Sequence, residues 1–146
     1  MKNSWLEYFA KMAKTVSEKS KDPSTKVGAI IVDSKNRIAG TGYNGMPLGK
    51  DTFPWDKTGD WLDTKYPYVI HAEANAILNS VKDVDGCEMV CTLIPCNECA
   101  KLIVQAGIKK VYYLDTREGE MFEASKKIFK ECGVDIEYVG DDVDVN

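Results

Sequence analysis

The sequence predicts a three-layer α/β domain, in which helices cover a mixed β-sheet. Two observations indicate this class. Segments with the apolar spacing of amphipathic helices alternate along the chain with short runs rich in β-branched residues. The 146 residues, of which 44% are apolar, fit one domain with a single ordinary core. The predicted order of elements, α-β-β-α-β-α-β-α-β, is typical of a sheet with helices packed against it.

The first predicted elements are a helix and a β-hairpin. Apolar residues recur at helical spacing from Ser4 to about Lys19, and the segment Asp22-Pro23-Ser24 interrupts the pattern. Val27 to Val32 is a short β-branched run, and Arg37 to Thr41 continues as a second strand. Asn36 offers the turn between them, so the two strands are expected to pair as a hairpin.

The middle of the chain contains a long segment in which apolar residues follow neither helical nor strand spacing. It runs from Gly42 to Pro67 and is rich in Gly, Pro, Asp, Thr and Trp. A loop of this length in a compact domain is usually functional. Helical spacing returns at about His71 to Val81, a strand is predicted at Cys87 to Leu93, and a further helix at Cys96 to Gln105.

The C-terminal part predicts a strand, a helix and a last strand. These are Lys109 to Leu114, Glu120 to Cys132 and Val134 to Val139. Residues 141–146 form an acidic tail that is expected to be frayed and disordered. The expected organisation is therefore a single domain over residues 1–140 followed by this tail.

Charge and cysteine content limit the function classes. The net charge is -4 and the pI is about 5.1, whereas a domain that tracks a nucleic-acid strand usually carries a basic face. A nucleic-acid polymer is therefore not expected as a partner. No apolar run is long enough to cross a bilayer, and no secretory signal is visible. Five cysteines without such a signal indicate a reducing, cytoplasmic compartment, where thiols bind metal or pack in the core.

Two short motifs carry the residues that suggest chemistry. His71, the only histidine, begins His-Ala-Glu, and Cys96 and Cys99 belong to Pro-Cys-Asn-Glu-Cys. Each motif lies where a helix is predicted to begin, and helix N-termini favour thiolates. One imidazole and two thiolates make the ligand set of a catalytic zinc, which keeps its fourth position open for water. Glu73 can reach the same site without ligating and can move protons. The order H-x-E followed by P-C-x-x-C is the signature of zinc-dependent nucleobase deaminases.

The same residues also have simpler interpretations. A lone Cys-x-x-Cys is more often a structural metal clip or a redox pair, and only its combination with His-x-Glu disfavours that interpretation here. Glu73 by itself could be a first-turn carboxylate that the helix dipole stabilises. Cys87 and Cys91 share one face of a strand and could bind a second metal. Because the chain has no second histidine, we expect them to be buried core thiols.

Several segments together resemble one family. Residues 71–77, 95–101 and 63–69, with Gly-Tyr-Asn-Gly-Met-Pro at 42–47, are similar to the deoxycytidylate deaminases, and the likeness extends from about Trp5 to Gly140. The zinc motif alone would identify only the wider cytidine deaminase superfamily. The segment at 42–47 points to the branch that acts on dCMP.

This resemblance implies a fold and a reaction. The fold would be an α/β/α sandwich around a five-stranded mixed sheet, in agreement with the element order. The reaction would be hydrolytic deamination of dCMP to dUMP and ammonia, which supplies dUMP for thymidylate synthesis. His71, Cys96 and Cys99 would hold one catalytic Zn²⁺ per subunit, and Glu73 would transfer protons to the base and to the departing amine. The backbone of Ala72 would hold the carbonyl edge of the base, and Asn44 would contact the deoxyribose.

The resemblance also implies assembly and regulation. Proteins of this branch are typically homohexamers that dCTP activates and that dTTP inhibits, with Mg²⁺ accompanying the triphosphate. By similarity, the regulatory site would involve Gly42, Asn44, Gly45, Lys65 and Tyr66.

A nucleotide phosphate needs cationic or N–H donors near the mouth of its pocket. Lys26, which follows the Ser24-Thr25 turn, and Arg117 are candidates for such donors. We count Thr25 and Arg117 among the residues that bind the substrate, and Lys26 among the regulatory residues. A solvated surface charge remains the alternative for both Lys26 and Arg117.

Two other functions remain open. The chain could be another deaminase of the superfamily, acting on free cytidine, on guanine or on tRNA adenosine. It could also be a nucleotide sensor or scaffold without catalysis, in which zinc only stabilises the fold. The presence of Glu73 disfavours the sensor, since a structural zinc needs no proton-transfer group.

Overall fold

The structure, a computed structural model, describes all residues from Met1 to Asn146. The helices are α1 Asn3–Ser17, α2 Ala72–Leu78, α3 Asn97–Gln105 and α4 Glu120–Glu131. The strands are β1 Gly28–Val32, β2 Ile38–Tyr43, β3 Glu88–Leu93, β4 Lys110–Asp115 and β5 Asp135–Tyr138. No helix is long and apolar enough to cross a membrane.

All five strands belong to one mixed sheet, with the order β2-β1-β3-β4-β5. Strand β1 pairs antiparallel with both β2 and β3, whereas β3, β4 and β5 run parallel. The pairing of β1 with β2 is the predicted hairpin. Parallel neighbours need crossover connections, and α3 and α4 supply them. The predicted fold class is therefore confirmed.

Helices cover both faces of the sheet because its central strands are apolar on both sides. Ile30 and Val32 of β1 pack with Leu6 and Phe9 of α1 in one buried cluster. The alternate β1 residue Ile31 lies in the other cluster, together with apolar residues of α2, α3 and α4. Alternate side chains of a strand point to opposite faces, so β1 has one helical layer on each side. This arrangement is the three-layer sandwich.

Helix α2 ends at Leu78, three residues before the predicted end at Val81. The reason is a competing backbone partner. The Val81 N–H donates to the Ala39 carbonyl of β2 at 2.9 Å, so it cannot continue the helical ladder. The Ser80 hydroxyl donates to the Ala76 carbonyl at 2.9 Å, which further satisfies the last turn.

The connection between β2 and α2 is ordered by its own contacts although it contains only two short 3-10 turns, Pro47–Gly49 and Trp61–Asp63. Gly45 and Ile70, near its two ends, form an isolated antiparallel bridge. The rings of Phe53 and Tyr68 lie 4.9 Å apart at their centroids. We call this segment, residues 44–71, the cleft loop because it borders the candidate site.

The last residues, 141–146, contain no helix or strand. Val143 and Val145 nevertheless pack partly against the cluster formed by α1 and the sheet. The Asp142 N–H donates to the Val139 carbonyl at 3.0 Å, which continues the turn that follows β5.

Gly42 allows α2 to lie directly on β2. A Cβ at Gly42 would overlap the backbone of Ala72 and Ala76, which cannot move unless the helix moves. Gly42→Ala is therefore expected to lower the free energy of unfolding by about 1–3 kcal/mol, as other overpacked sites do. Chemical denaturation measures this change. The matched control is Gly45→Ala, whose Cβ would meet only the Tyr43 ring at 3.8 Å; an equal loss in both variants would contradict the prediction.

Candidate active site

The histidine motif lies at the junction of the cleft loop and α2. His71 is the N-cap residue of α2, with extended backbone angles of φ -70° and ψ 155°. The pairing of Ile70 with Gly45 fixes the chain immediately before it. Glu73 follows in the first helical turn and is buried, with 4% of its surface exposed. The turn therefore points the imidazole and the carboxyl group at one region.

The cysteine motif lies at the junction of β3 and α3. Cys96 is the N-cap residue of α3, and Cys99 lies buried in its first turn. Two hydrogen bonds fix the chain before them. The Ile94 N–H donates to the Asp115 carbonyl at 2.9 Å, and the Ser125 hydroxyl donates to the Pro95 carbonyl at 2.8 Å.

These two junctions bring three possible metal ligands together. The Sγ atoms of Cys96 and Cys99 each lie 3.4 Å from Nδ1 of His71, and all three ligand atoms lie within 4.8 Å of one another. Bond lengths of about 2.3 Å to sulfur and 2.0 Å to nitrogen, at tetrahedral angles, separate the two ligand types by about 3.5 Å. The donor set and its spacing therefore fit a zinc ion with a fourth position left for water.

The two cysteines differ in their electrostatics. A hydrogen bond from Cys99, together with one from His71, lowers the pKa of the Cys96 thiol to about 4, whereas the hydrogen bond with Cys96 and burial raise the pKa of Cys99. Metal ligation requires thiolates, so Cys96 ionises readily and Cys99 has to release its proton when a metal binds. Burial raises the pKa of the Glu73 carboxyl, which suits a group that both accepts and donates protons.

Cys87 and Cys91, expected as core thiols, lie in the core, the first immediately before β3 and the second in the middle of it. They are 3% and 0% exposed. Burial raises the pKa of Cys91 well above its ordinary value, so its thiol keeps its proton.

A cavity of about 380 Å³ opens above the two junctions. This volume lies in the range of small-molecule sites, about 300–1,000 Å³. His71, Glu73 and Cys96 line it. Its other lining residues are Asp22, Ser24, Thr25, Val27, Asn44, Lys57, Lys65, Tyr66, Val69, Ala72, Leu93, Ile94, Arg117, Glu118, Met121 and Phe122.

The cavity brings together all the residues predicted to contact the substrate. Thr25, Asn44, Ala72 and Arg117 line the same space as His71. They come from four separate segments: the loop before β1, the start of the cleft loop, the start of α2 and the loop after β4.

The residues predicted for a regulatory site lie on different surfaces of this single chain. Asn44, Lys65 and Tyr66 line the cavity just described. Gly45 lines a second cavity of about 320 Å³, and Gly42 is buried beneath α2. The remaining member, Lys26, is exposed and lines neither cavity.

Sequence reasoning missed the role of Asp22, which is 1% exposed and organises one wall of the cavity. Its Oδ2 accepts hydrogen bonds from Lys65 Nζ at 2.6 Å and from Asn44 Nδ2 at 3.3 Å. Its Oδ1 accepts from the backbone N–H groups of Ser24 at 2.8 Å and Thr25 at 3.3 Å. An aspartate before a proline predicts a turn. The sequence near Asp22 does not indicate that Asn44 and Lys65, which are distant along the chain, bind its carboxylate.

The comparison with protein families identifies the family to which this chain belongs. The family model of the cytidine and deoxycytidylate deaminase zinc-binding region matches residues 3–115, which include both motifs. The chain belongs to the cytidine and deoxycytidylate deaminase family. It is therefore a deaminase, and hence a hydrolase. The expected relationship, drawn from the sequence motifs, is confirmed.

Individual relatives agree with this membership. The deoxycytidylate deaminase of Mus musculus is 52% identical over 136 residues, which cover 89% of this chain and 76% of the relative. ComE operon protein 2 of Bacillus subtilis is 38% identical over 139 residues, which cover 93% of this chain and 71% of that protein. The crystal structure of the dCMP deaminase from the cyanophage S-TIM5 in complex with dCMP and dUMP matches with a TM-score of 0.80 and 35% identity, covering 94% and 98% of the two chains.

A more distant solved structure shares only the fold. A tRNA:A34 deaminase matches with a TM-score of 0.60 at 21% identity, over 90% of this chain and 91% of that one.

Proposed function

We propose that this deaminase converts dCMP and water to dUMP and ammonia, a reaction that supplies dUMP for thymidylate synthesis. One observation carries the proposal: the buried carboxyl group of Glu73 lines a cavity of nucleotide size together with His71 and Cys96, two members of the His-Cys-Cys ligand set. The relatives named deoxycytidylate deaminase and the phage enzyme in complex with dCMP and dUMP support this substrate.

His71, Cys96 and Cys99 would hold the metal. A zinc ion at such a site supplies a nucleophilic water at neutral pH, because it lowers the pKa of water to about 7. Glu73 accepts the proton of the attacking water and delivers it to ring nitrogen N3. A C–O bond forms at C4 in this step. Glu73 then takes the proton of the new C4 hydroxyl and passes it to the exocyclic amine, so that the C–N bond breaks, ammonia leaves and C4 keeps a carbonyl oxygen. Burial of Glu73 keeps this proton away from bulk water.

The start of α2 can orient the base. The Ala72 N–H is one of the N-terminal donors that a helix leaves without an internal partner. Because Ala72 lines the cavity, this N–H can donate to the carbonyl oxygen of the cytosine ring. The interaction holds C4 and its amine in a fixed orientation relative to Glu73.

Asn44 can act only as a hydrogen-bond acceptor toward a ligand. Both protons of its Nδ2 are used, on Asp22 at 3.3 Å and on the Thr25 carbonyl at 3.0 Å. Its Oδ1 accepts from the Val27 N–H at 2.8 Å and keeps one lone pair. A sugar hydroxyl is the group of a nucleotide that such an acceptor binds. We therefore assign Asn44 to the deoxyribose hydroxyl.

A steady-state assay with dCMP and with deoxycytidine tests the substrate. We expect dCMP to have the higher kcat/KM by at least about tenfold, because Thr25 and Arg117 offer donors to a phosphate and each charge-assisted hydrogen bond contributes about 1.5–3 kcal/mol. Equal kcat/KM values for the two compounds would overturn the substrate assignment.

We further propose regulation by dCTP as activator and by dTTP with Mg²⁺ as inhibitor. The second cavity supports this proposal, because Lys19 and Lys50 line it beside Gly45 without an ion-pair partner and suit a triphosphate, whereas Lys21 pairs with Asp51 at 2.7 Å. A homo-oligomer, with a hexamer favoured, is consistent with the exposure of the large apolar residues Leu48, at 94%, and Val81, at 86%. The thiols of the ligand set fit the proposed cytoplasmic location, where they stay reduced.

A further inference from the structure

Lys57 of the cleft loop lies at the rim of the active-site cavity. Its Nζ donates a hydrogen bond to the Ser24 hydroxyl at 2.9 Å, and both residues line the cavity. They come from different segments, since Ser24 belongs to the loop between α1 and β1 and Lys57 belongs to the cleft loop. The contact therefore joins two walls of the cleft at its rim.

Buried contacts hold both partners in position. The N–H of Ser24 donates to Asp22 Oδ1 at 2.8 Å. On the other wall, the N–H of Lys65 donates to the carbonyl of Asp56, the residue before Lys57, at 2.8 Å. The side chain of Lys65 in turn pairs with Asp22 at 2.6 Å, where the two side chains are 12% and 1% exposed. Asp22 thus holds the Ser24 backbone directly. It holds the backbone beside Lys57 indirectly, through Lys65.

The charges at the cavity leave Lys57 available for an anion. Lys65 is neutralised by its buried partner Asp22. Neither Lys57 nor Arg117 forms an ion pair within the chain. They are therefore the two uncompensated cations among the lining residues, whereas Glu118 is an exposed acid at the rim.

The hydrogen-bonding capacity of the contact also suits an anion. A lysine ammonium has several N–H donors, and Lys57 uses one of them on Ser24. The Ser24 hydroxyl accepts that bond through its oxygen and keeps its own proton to donate. Two neighbouring donors that converge from different walls match the several acceptor oxygens of a phosphate.

We infer that Lys57, held by Ser24, binds the phosphate of the substrate and makes the enzyme select a nucleotide over its nucleoside. The inference rests on the proposed dCMP deaminase function and deepens it, because it adds a specificity-determining residue from the cleft loop. A charge-assisted hydrogen bond lost at such a site corresponds to about a tenfold to a hundredfold change in affinity.

The experiment compares Lys57→Met with the wild type on dCMP and on deoxycytidine. The methionine keeps the apolar stem and removes the charge. We expect the KM for dCMP to rise by about tenfold to a hundredfold at nearly unchanged kcat, while kcat/KM for deoxycytidine stays the same. Lys57→Arg should restore most of the affinity for dCMP. The control is Lys35→Met, which removes an exposed lysine from the hairpin turn outside the cavity and should change neither substrate.

Inhibition constants give the same comparison without turnover of the nucleoside. In an assay with dCMP as the substrate, Lys57→Met should weaken inhibition by dUMP and leave inhibition by deoxyuridine unchanged. An unchanged KM for dCMP, or equal losses on nucleotide and nucleoside, would overturn the inference while the proposed function stands. A wild-type enzyme that does not prefer dCMP over deoxycytidine would overturn both.

Discussion

Glu73→Gln is expected to reduce dCMP turnover by about 10²–10⁴-fold while the protein keeps its zinc and its fold. Glutamine has nearly the same shape as glutamate but cannot accept a proton and pass it on. The carboxyl group is 4% exposed, so bulk water cannot easily replace it as a proton carrier. Single-turnover and steady-state rates measure the loss, and metal analysis with circular dichroism measures zinc content and fold.

Glu98→Gln is the matched control for this substitution. Glu98 lies between the two cysteines on α3, but it is exposed and pairs with Lys101 at 2.9 Å. Its replacement should leave turnover within about twofold of wild type, since exposed ion pairs contribute little. If Glu73→Gln deaminated at nearly the wild-type rate, Glu73 would not carry the protons, and a sensor that binds nucleotide without catalysis would become the better interpretation.

Cys99→Ser is expected to release zinc and to abolish activity. Replacing a partner in the second coordination shell already costs about 10–100-fold in metal affinity or activity, so the loss of a direct ligand should cost more. A serine hydroxyl is a harder donor and does not ionise at neutral pH as a thiol can. Elemental analysis of the purified protein measures the zinc, and the dCMP assay measures the activity.

Two controls separate metal loss from misfolding. Cys132→Ser changes an exposed cysteine at the end of α4 and should keep both zinc and activity. Stripping zinc from the wild type with a chelator should abolish turnover, and added zinc should restore it. A Cys99→Ser protein that retains zinc at the wild-type level would show that the donor set was assigned incorrectly.

The candidate metal ligands were predictable because their signals are local. The spacing between Cys96 and Cys99 is close to one helical turn, and His71 stands at the start of its own helix. Both helices were expected from apolar periodicity, and a polar residue before such a helix occupies its N-terminus. Sequence reasoning could therefore name the three residues and the open fourth position. It could not show that their ligand atoms lie within 4.8 Å of one another.

The wall of the cavity was not predictable in the same way. Asp22 and Lys65 are separated by 43 positions, and the second of them lies in a loop without any period. A segment without a regular spacing of apolar residues gives no indication of which side chains face the interior of the protein. The pairing depends on how the cleft loop packs against the segment after α1, which only the complete structure determines.

The grouping of the regulatory residues illustrates a related limit. Gly42, Tyr43 and Asn44 are consecutive, yet Gly42 lies beneath α2, Tyr43 is exposed and Asn44 faces the cavity. β2 ends at Tyr43, so Asn44 begins the cleft loop and is not bound to the alternation of the strand. A motif that is continuous in sequence is thus divided between different surfaces of one chain, and the regulatory role of its residues stays a prediction.

The carboxylate of Asp22 also determines how the cleft can move. It ties the cleft loop to the segment after α1 through the pair with Lys65 at 2.6 Å. Lifting the loop would leave a charge in the interior without its counter-ion, and separating such a buried pair costs about 3–5 kcal/mol. We therefore expect the cleft loop to stay in place around this pair, and small molecules to enter and leave the cavity without lifting the loop.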